Sequence, residues 1–520
     1  MARVRDGLRL LTRAAPWAPL LLVCAMLCAP LLLVEVPPLL DYPNHLARLF
    51  VAASPGDPLL AKMYAPHWAI LPNLAVDLLA PPLFLLFPVH VVGRILVGLG
   101  LLLPVLGCFA YHRAVFPRAV SGGSGWWPLG AGLVAYNAAL LMGFLNFVIA
   151  LGLALLLAAI WIESRGRRPA GTLAIAAAGA LLLFVCHLMG LVLFAVLVIA
   201  HEAEQAWREM QQGRNGRPAA RLLAIGAVMA VPAALFLAAP FQQAEGTTAW
   251  LSLPQKLVQA MFPVMNYSFP LDLVTAVLLS GLVLLLLVTR WGVVPLHCAA
   301  ALLALGLLWA VAPYGWKGTW ALDARFAVMV GFMVFAAIDP ARMPRRAAQA
   351  AAALLGGLFV LRMALLAFAW HGHAGVLAEL RQVIAAVPAG ATVDVTTVTP
   401  AEAPAYWRRS PGARLLWDGS ALDAHMAALL PIERRAFYPF LFADPAQQPM
   451  VMRPEYRALA DSADGIRPHR DVAASTCGFE FLLLLDAGGD SDLANYGGGR
   501  FELVRANDTA ALFKVRPCRG

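Results

Sequence analysis

The sequence predicts a mainly α-helical, polytopic transmembrane bundle of about 11 helices, followed by a small C-terminal α/β domain outside the membrane. Three observations predict it. Of 520 residues, 61% are hydrophobic and the mean hydropathy is +0.73, against roughly 45–50% apolar content in soluble domains, so most of the chain belongs in lipid. Apolar runs close to the ~20 residues of a membrane span recur up to residue 370, separated by short loops that hold most of the arginines. Beyond Trp370 the apolar runs shorten and turn residues multiply, which divides the chain into a transmembrane module, 1–370, and an extracytoplasmic domain, 371–520.

In chain order, Arg3, Arg5, Arg9 and Arg13 precede an apolar run from Trp17 to Val36. That run is longer than the roughly 7–15 residues of a signal-peptide core and has no clear cleavage site, so it reads as an anchor with a cytoplasmic N-terminus. Helices are expected near 15–36, 89–112, 127–142, 146–163, 170–186, 188–203, 220–240, 271–290, 293–313, 323–339 and 346–370. With that count Arg113, Arg118, Arg165, Arg167, Arg168, the arginines from Arg208 to Arg221, Arg290, Arg342, Arg345 and Arg346 all fall on the cytoplasmic side. Residues 72–87 are apolar but interrupted by Pro81-Pro82; they read as a half-buried helix in the outer leaflet, with a second full span as the other option.

The net charge of +9 divides unevenly, because residues 371–520 hold 15 Lys+Arg against 17 Asp+Glu. The positive charge therefore sits in the membrane part, mostly in cytoplasmic loops, and calls for no nucleic acid. The excess of arginine over lysine suggests a GC-rich bacterial genome and, with it, a bacterial inner membrane. Cys24, Cys28, Cys108, Cys186 and Cys298 lie in apolar helices as small buried side chains; Cys477 and Cys518, in an oxidising compartment, are candidates for a disulfide.

The first outer loop, 37–71, is dense in chemistry: Asp41, His45 and Arg48 follow the stiff pair Pro37-Pro38, and Leu46 onward reads as a short amphipathic helix along the interface. The alternative is that Asp41 or Asn44 is simply the cap of that helix. Asn146 and His187 occupy the hinges between short helices, where a water-accessible cavity is expected, although a lone histidine in an apolar stretch is often only a packed residue. The loop 241–270 is either a cover for that cavity or a solvated connector. Lys317 and Arg325 stand among Trp316, Trp320 and Tyr314 on the outer side, where other loops carry few cations, and an anionic group is their expected counter-charge. In the C-terminal domain a helix at 377–387 and strands at 391–398, 414–417, 436–442, 480–485, 501–505 and 510–515 are expected, with no nucleophile elbow, P-loop or dinucleotide fingerprint.

A carboxylate can take the proton of an acceptor hydroxyl or amine as a new bond forms, and separate cations can hold the charge growing on a departing phosphate. Asp41 with Lys317 and Arg325 thus describes sugar transfer from a lipid-linked phosphate donor. Acidic Asp41 opening the first loop, Pro81-Pro82-Leu83 leading to Arg94, short helices, the pair Arg325-Phe326 beginning a late helix, and the terminal domain together resemble the GT-C superfamily. Its members are integral membrane glycosyltransferases using polyprenyl-phosphate sugars, among them the bacterial lipid A aminoarabinose transferases and the protein O-mannosyltransferases. The resemblance implies a GT-C-like fold, an inverting transfer to a glycan, lipid or protein acceptor on the periplasmic face, Asp41 as the base, and Arg325 on the donor phosphate. Lys317 and His187 lie in comparable regions. Asp41 is followed by Tyr-Pro-Asn-His rather than by a second acid, so no metal ligands are assigned, a divalent cation stays open, and His45 is the expected helper, with Arg48, in substrate binding. A polyprenyl-phosphate or lipid transporter, or a non-catalytic envelope assembly subunit, would use the same polar groups differently.

Overall fold

A computed structural model describes residues 17–119, 123–213, 217–240, 246–397, 416, 422–463, 475–487 and 493–517. The chain is mainly helical, 65%, with a small sheet region near its C-terminus. The principal helices are α1 (Ala18–Cys28), α2 (Tyr42–Ala52), α3 (Ala75–Phe84), α4 (Val89–Val115), α5 (Leu145–Ser164), α6 (Pro169–Cys186), α7 (Leu188–Gln211), α8 (Arg217–Ala238), α9 (Phe269–Val288), α10 (Leu296–Val311), α11 (Leu322–Ala337) and α12 (Arg345–Ile384). Seven of them, α4 to α9 and α12, are long and apolar enough to cross a membrane.

Four of the eleven expected spans come out shorter, and the residues explain why. At 127–142 the side chain of Asn137 donates to Val134 O and Ala135 O and accepts from Leu140 N, so a 3₁₀ stretch Trp127–Val134 stops and a new turn, Ala138–Leu141, starts. α1 tightens into a 3₁₀ turn, Ala29–Leu32, where Pro30 ends the α-helical pattern. α10 and α11 have 16 residues each. Pro81-Pro82 does not interrupt its segment: both prolines lie inside α3, whose 10 residues rise about 15 Å, half of a ~30 Å hydrocarbon core. The expected helices 346–370 and 377–387 are one 40-residue helix, α12, because nothing stronger than Gly372 and Gly375 separates them.

The chain forms two compact units. The first comprises residues 1–30, 72–75 and 97–365, and the second 31–71, 76–96 and 366–520, so the first loop belongs with the C-terminal residues.

In the first unit α7 packs on α5, α10 and α8, and α10 on α11. α4 meets α5 so closely that a Cβ on Gly152 would stand 2.3 Å from the Leu103 carbonyl carbon, and one on Gly107 2.5 Å from Gly152 O; only glycine permits that approach. Charges in the apolar helices are paired: Arg362 donates to Asp272 at 2.6 Å, and Glu204 accepts from the His297 backbone N–H at 2.8 Å.

In the second unit, β1 (Tyr64–Pro66) pairs antiparallel with β3 (Met450–Met452), while β2 (Val393–Thr397), β4 (Phe481–Leu485), β5 (Phe501–Ala506) and β6 (Ala510–Val515) form a sheet of order β2-β4-β6-β5. β2 and β4 run parallel; β6 is antiparallel to both β4 and β5. Alternate residues Leu482, Leu484, Phe501, Ala511 and Phe513 bury one face. The strand expected at 436–442 is irregular, joined to β2's entry by a lone bridge of Phe437 with Thr392, and the one expected at 414–417 falls outside the described residues except Leu416. α2 is not an interfacial helix: Tyr42, Asn44, Leu46, Ala47, Arg48, Leu49 and Val51 are all buried, and it packs on the helix Leu429–Arg434 and the 3₁₀ turn Met426–Ala428. Cys477 is disulfide-bonded and the five helix cysteines are free; Cys518 lies outside the described residues.

Candidate functional site

The sequence-predicted residues fall into two groups, one in each unit. In the second unit Asp41 precedes α2 with a helical backbone, φ −86° and ψ −9°, and its side chain makes no capping hydrogen bond. Pro43 in the first turn removes a backbone donor that a cap would otherwise serve. Asn44 is not a cap either. Its Nδ2 donates to Phe440 O at 2.7 Å and its Oδ1 accepts from Phe442 N at 2.8 Å, so a side-chain amide binds residues 440–442 as a neighbouring strand would.

That clamp delivers Phe442 to two imidazoles, edge-on to His45 at 5.2 Å and to His425 at 5.5 Å. His425 Nε2 stands 3.7 Å from Asp41 Oδ1, and its Nδ1 is 3.4 Å from the Tyr438 hydroxyl. Burial pushes His425 down to about 4, and burial with the nearby Arg48 and His425 holds His45 well below the usual histidine range. Both rings are therefore neutral at pH 7. Arg48 points elsewhere: its Nη2 donates to Asp77 Oδ2 at 2.7 Å, with both side chains buried, so it ties α2 to α3.

In the first unit His187 is the extended residue, φ −174°, between α6 and α7. Its Nδ1 accepts the Met189 backbone N–H at 3.1 Å. A neutral ring then carries its proton on Nε2, and Arg325 Nη1 lies 3.2 Å from that nitrogen. In that tautomer both nitrogens are donors, placed to share one acceptor. The Arg325 guanidinium lies over Phe144 at 4.6 Å and Phe147 at 5.9 Å and donates to Trp320 O at 3.3 Å. Asn146 donates to Asn73 O at 2.7 Å, while Asn73 and Leu74 both donate to Val185 O, which fixes the turn beside His187.

Lys317 is half-buried at the tip of a tight turn in which Trp316 and Thr319 exchange backbone hydrogen bonds of 2.9 Å; Lys317 and Gly318 have φ of +48° and +73°, a type I′ turn. The 241–270 loop is no solvated connector throughout. From its helix Leu253–Gln259, Lys256 Nζ donates to Trp309 O at 2.8 Å and Ala312 O at 2.7 Å and lies 3.2 Å from Asp323, at the start of the helix that carries Arg325.

The structure brings His187 to Arg325 within one unit and Asp41 to the neighbourhood of His45 within the other. Sequence reasoning missed His425, Tyr438 and Phe442, which come from almost four hundred residues away; the only signal was a histidine beside Asp423 opening the apolar run Met426-Ala-Ala-Leu-Leu. Among the described residues no three His, Cys, Asp or Glu side chains group as metal ligands. No family model matches this chain, and no curated protein matches it.

Proposed function

We propose that the chain is a membrane glycosyltransferase of the GT-C kind, moving a sugar from a polyprenyl-phosphate donor to an envelope acceptor on the periplasmic face of a bacterial inner membrane. The observation that carries this reading is the placement of His187 Nε2 and Arg325 Nη1, 3.2 Å apart and each side chain held by a backbone contact, where one phosphate oxygen can accept from both. The proposed roles are donor-phosphate binding for Arg325 and His187, with Lys317 as a further cation, and, in the second unit, general base for Asp41, acceptor binding for His45, and bracing of α2 for Arg48. The charge growing on the departing phosphate is then met by donors already fixed by backbone contacts, which is where preorganisation lowers a barrier.

The test is turnover of radiolabelled polyprenyl-phosphate hexoses and pentoses with an envelope lipid extract. Asp41→Asn is expected to fold and bind donor but lose at least about 10²-fold in turnover, the scale of general-base catalysis. Wild-type rates in Asp41→Asn would end its assignment, and donor movement across vesicles without a new glycosidic bond would replace the transferase with a transporter.

A further inference from the structure

Asp41 is accompanied by an imidazole that the terminal region supplies. The 3₁₀ turn Met426–Ala428 and the helix Leu429–Arg434 pack on α2, and His425 immediately precedes them, which carries its ring to the end of α2 where Asp41 lies. Three restraints hold the ring. Phe442, clamped by Asn44, presses its edge against it at 5.5 Å. Tyr438 stands at its Nδ1, and Tyr438 is itself fixed, its backbone N–H donating to the Tyr64 hydroxyl and its carbonyl accepting from that hydroxyl, both at 3.0 Å. The third restraint is charge, since an ionised carboxylate only accepts hydrogen bonds.

We propose that His425 is the positioning residue of Asp41: its Nε2–H is aimed at one carboxylate oxygen, and the Tyr438 hydroxyl donates to Nδ1 and so fixes the tautomer. The assignment follows from the donor inventory. Facing a carboxylate, Nε2 has to carry the hydrogen; a neutral ring then leaves Nδ1 bare, and the tyrosine O–H is the donor placed there. Burial keeps the ring neutral, in agreement with its fall to about 4. The separation of 3.7 Å is longer than a hydrogen bond and shortens when an acceptor draws the carboxylate inward. With one oxygen engaged, the carboxylate is restricted in how it can turn. The acceptor's O–H bond breaks, its proton goes to Asp41, the new O–C bond forms, and the phosphate departs with the electron pair of the old one. His425 takes no proton in this step.

The kinetic arm of the test rests on the transferase reading; the spectroscopic arm does not. In full-length protein in nanodiscs with ¹⁵N-labelled histidine, the His425 signals, identified by their loss in His425→Gln, are expected to show the Nε2–H tautomer, to mix tautomers in Tyr438→Phe, and to shift at Nε2 in Asp41→Asn. In turnover, His425→Ala is expected to lose about 10²-fold, His425→Gln, which keeps an N–H donor, to stay within about tenfold, and millimolar imidazole to restore part of the His425→Ala rate, a rescue that a merely structural role would not give. An Nδ1–H tautomer, or His425 signals identical in wild type and Asp41→Asn, overturns the pairing. Wild-type protein inactive with every donor but showing the coupled signals overturns the transferase reading and leaves the pairing standing.

Discussion

At the scale of single residues, the two groups differ in how their protons are fixed. His187 has its tautomer set by the backbone N–H of Met189, which only proline there would remove, and His425 by a tyrosine hydroxyl, which phenylalanine removes. Arg325 is stacked over Phe144 as well as aimed at His187, and a lysine would keep the charge while losing both the planar stack and the second donor. Arg325→Lys is accordingly expected to raise the KM for the polyprenyl-phosphate donor about tenfold or more with a smaller change in kcat, measured in the same turnover assay. The buried imidazoles also set a pH dependence of stability. His425 titrates near 4 when folded and near 6.5 when unfolded, so between those values the unfolded chain binds the extra proton and stability falls as pH drops from about 6.5 towards 4. The loss is expected to reach about 1–3 kcal/mol, read as a lower unfolding temperature at pH 5 than at pH 7, and to be smaller in His425→Gln. Asp41 was legible in the sequence because a carboxylate after two prolines in an apolar chain is conspicuous; its neighbour His425 was not, because chain distance hides a contact that only the fold makes.

At the scale of elements, periodic hydrophobicity located the long helices, although α7 runs eight residues and α12 fourteen residues past the expected ends, and two of the other misses trace to side chains that hydrogen-bond the backbone. Asn137 divides one expected span, and Asn44 substitutes for a strand at 440–442; neither effect has a periodic signature. Pro81-Pro82 misled in the opposite sense, since the missing N–H groups of two prolines near the end of a short helix leave little of its ladder to break. The helix Leu253–Gln259 offers a sharper test. Lys256 neutralises Asp323 and caps two carbonyls at the end of α10, so it connects the loop, α10 and the first turn of the helix bearing Arg325. Gln259 adds to this, its amide lying 2.7 and 2.8 Å from the two Asp323 oxygens. Lys256→Met leaves a buried carboxylate without its cation, and the expected cost is about 3–5 kcal/mol of stability. The double variant Lys256→Met with Asp323→Asn should recover part of it; thermal unfolding in detergent reads both, and equal losses for the single and double variants would show that the ion pair contributes nothing.

At the scale of the whole molecule, the chain visits its two units alternately. It enters the second at residue 31, returns to the first for 72–75, re-enters the second for 76–96, and comes back to it for good at 366. The composition change at Trp370 marks the end of the apolar spans, but it does not separate the units, because α2 has its packing partners in 426–434 and Asn44 its hydrogen-bond partners at 440 and 442. The second unit therefore cannot be completed until the long first-unit segment 97–365 has been made, and its first part waits with buried side chains, Asn44 and Tyr64, lacking their hydrogen-bond partners. Arg48 already has its partner Asp77, but several others are missing in that interval: Phe440 and Phe442 for Asn44, Tyr438 for Tyr64, and β3 for β1. A chain ending at residue 384 is expected to keep its seven long apolar helices yet expose 37–71 to protease, whereas the full chain protects that segment; limited proteolysis of membranes with mass spectrometry of the fragments reads the difference. Asn44→Ala in the full chain should give an intermediate result, since it removes two buried hydrogen bonds, each worth about 1–3 kcal/mol once its backbone partner is left unsatisfied, but leaves the packing of α2 on 426–434 in place. Equal protection of the first loop in the truncated and full chains would mean that α2 holds its shape without the terminal region, and the delivery of His425 to Asp41 would then be incidental to the loop's folding rather than coupled to it.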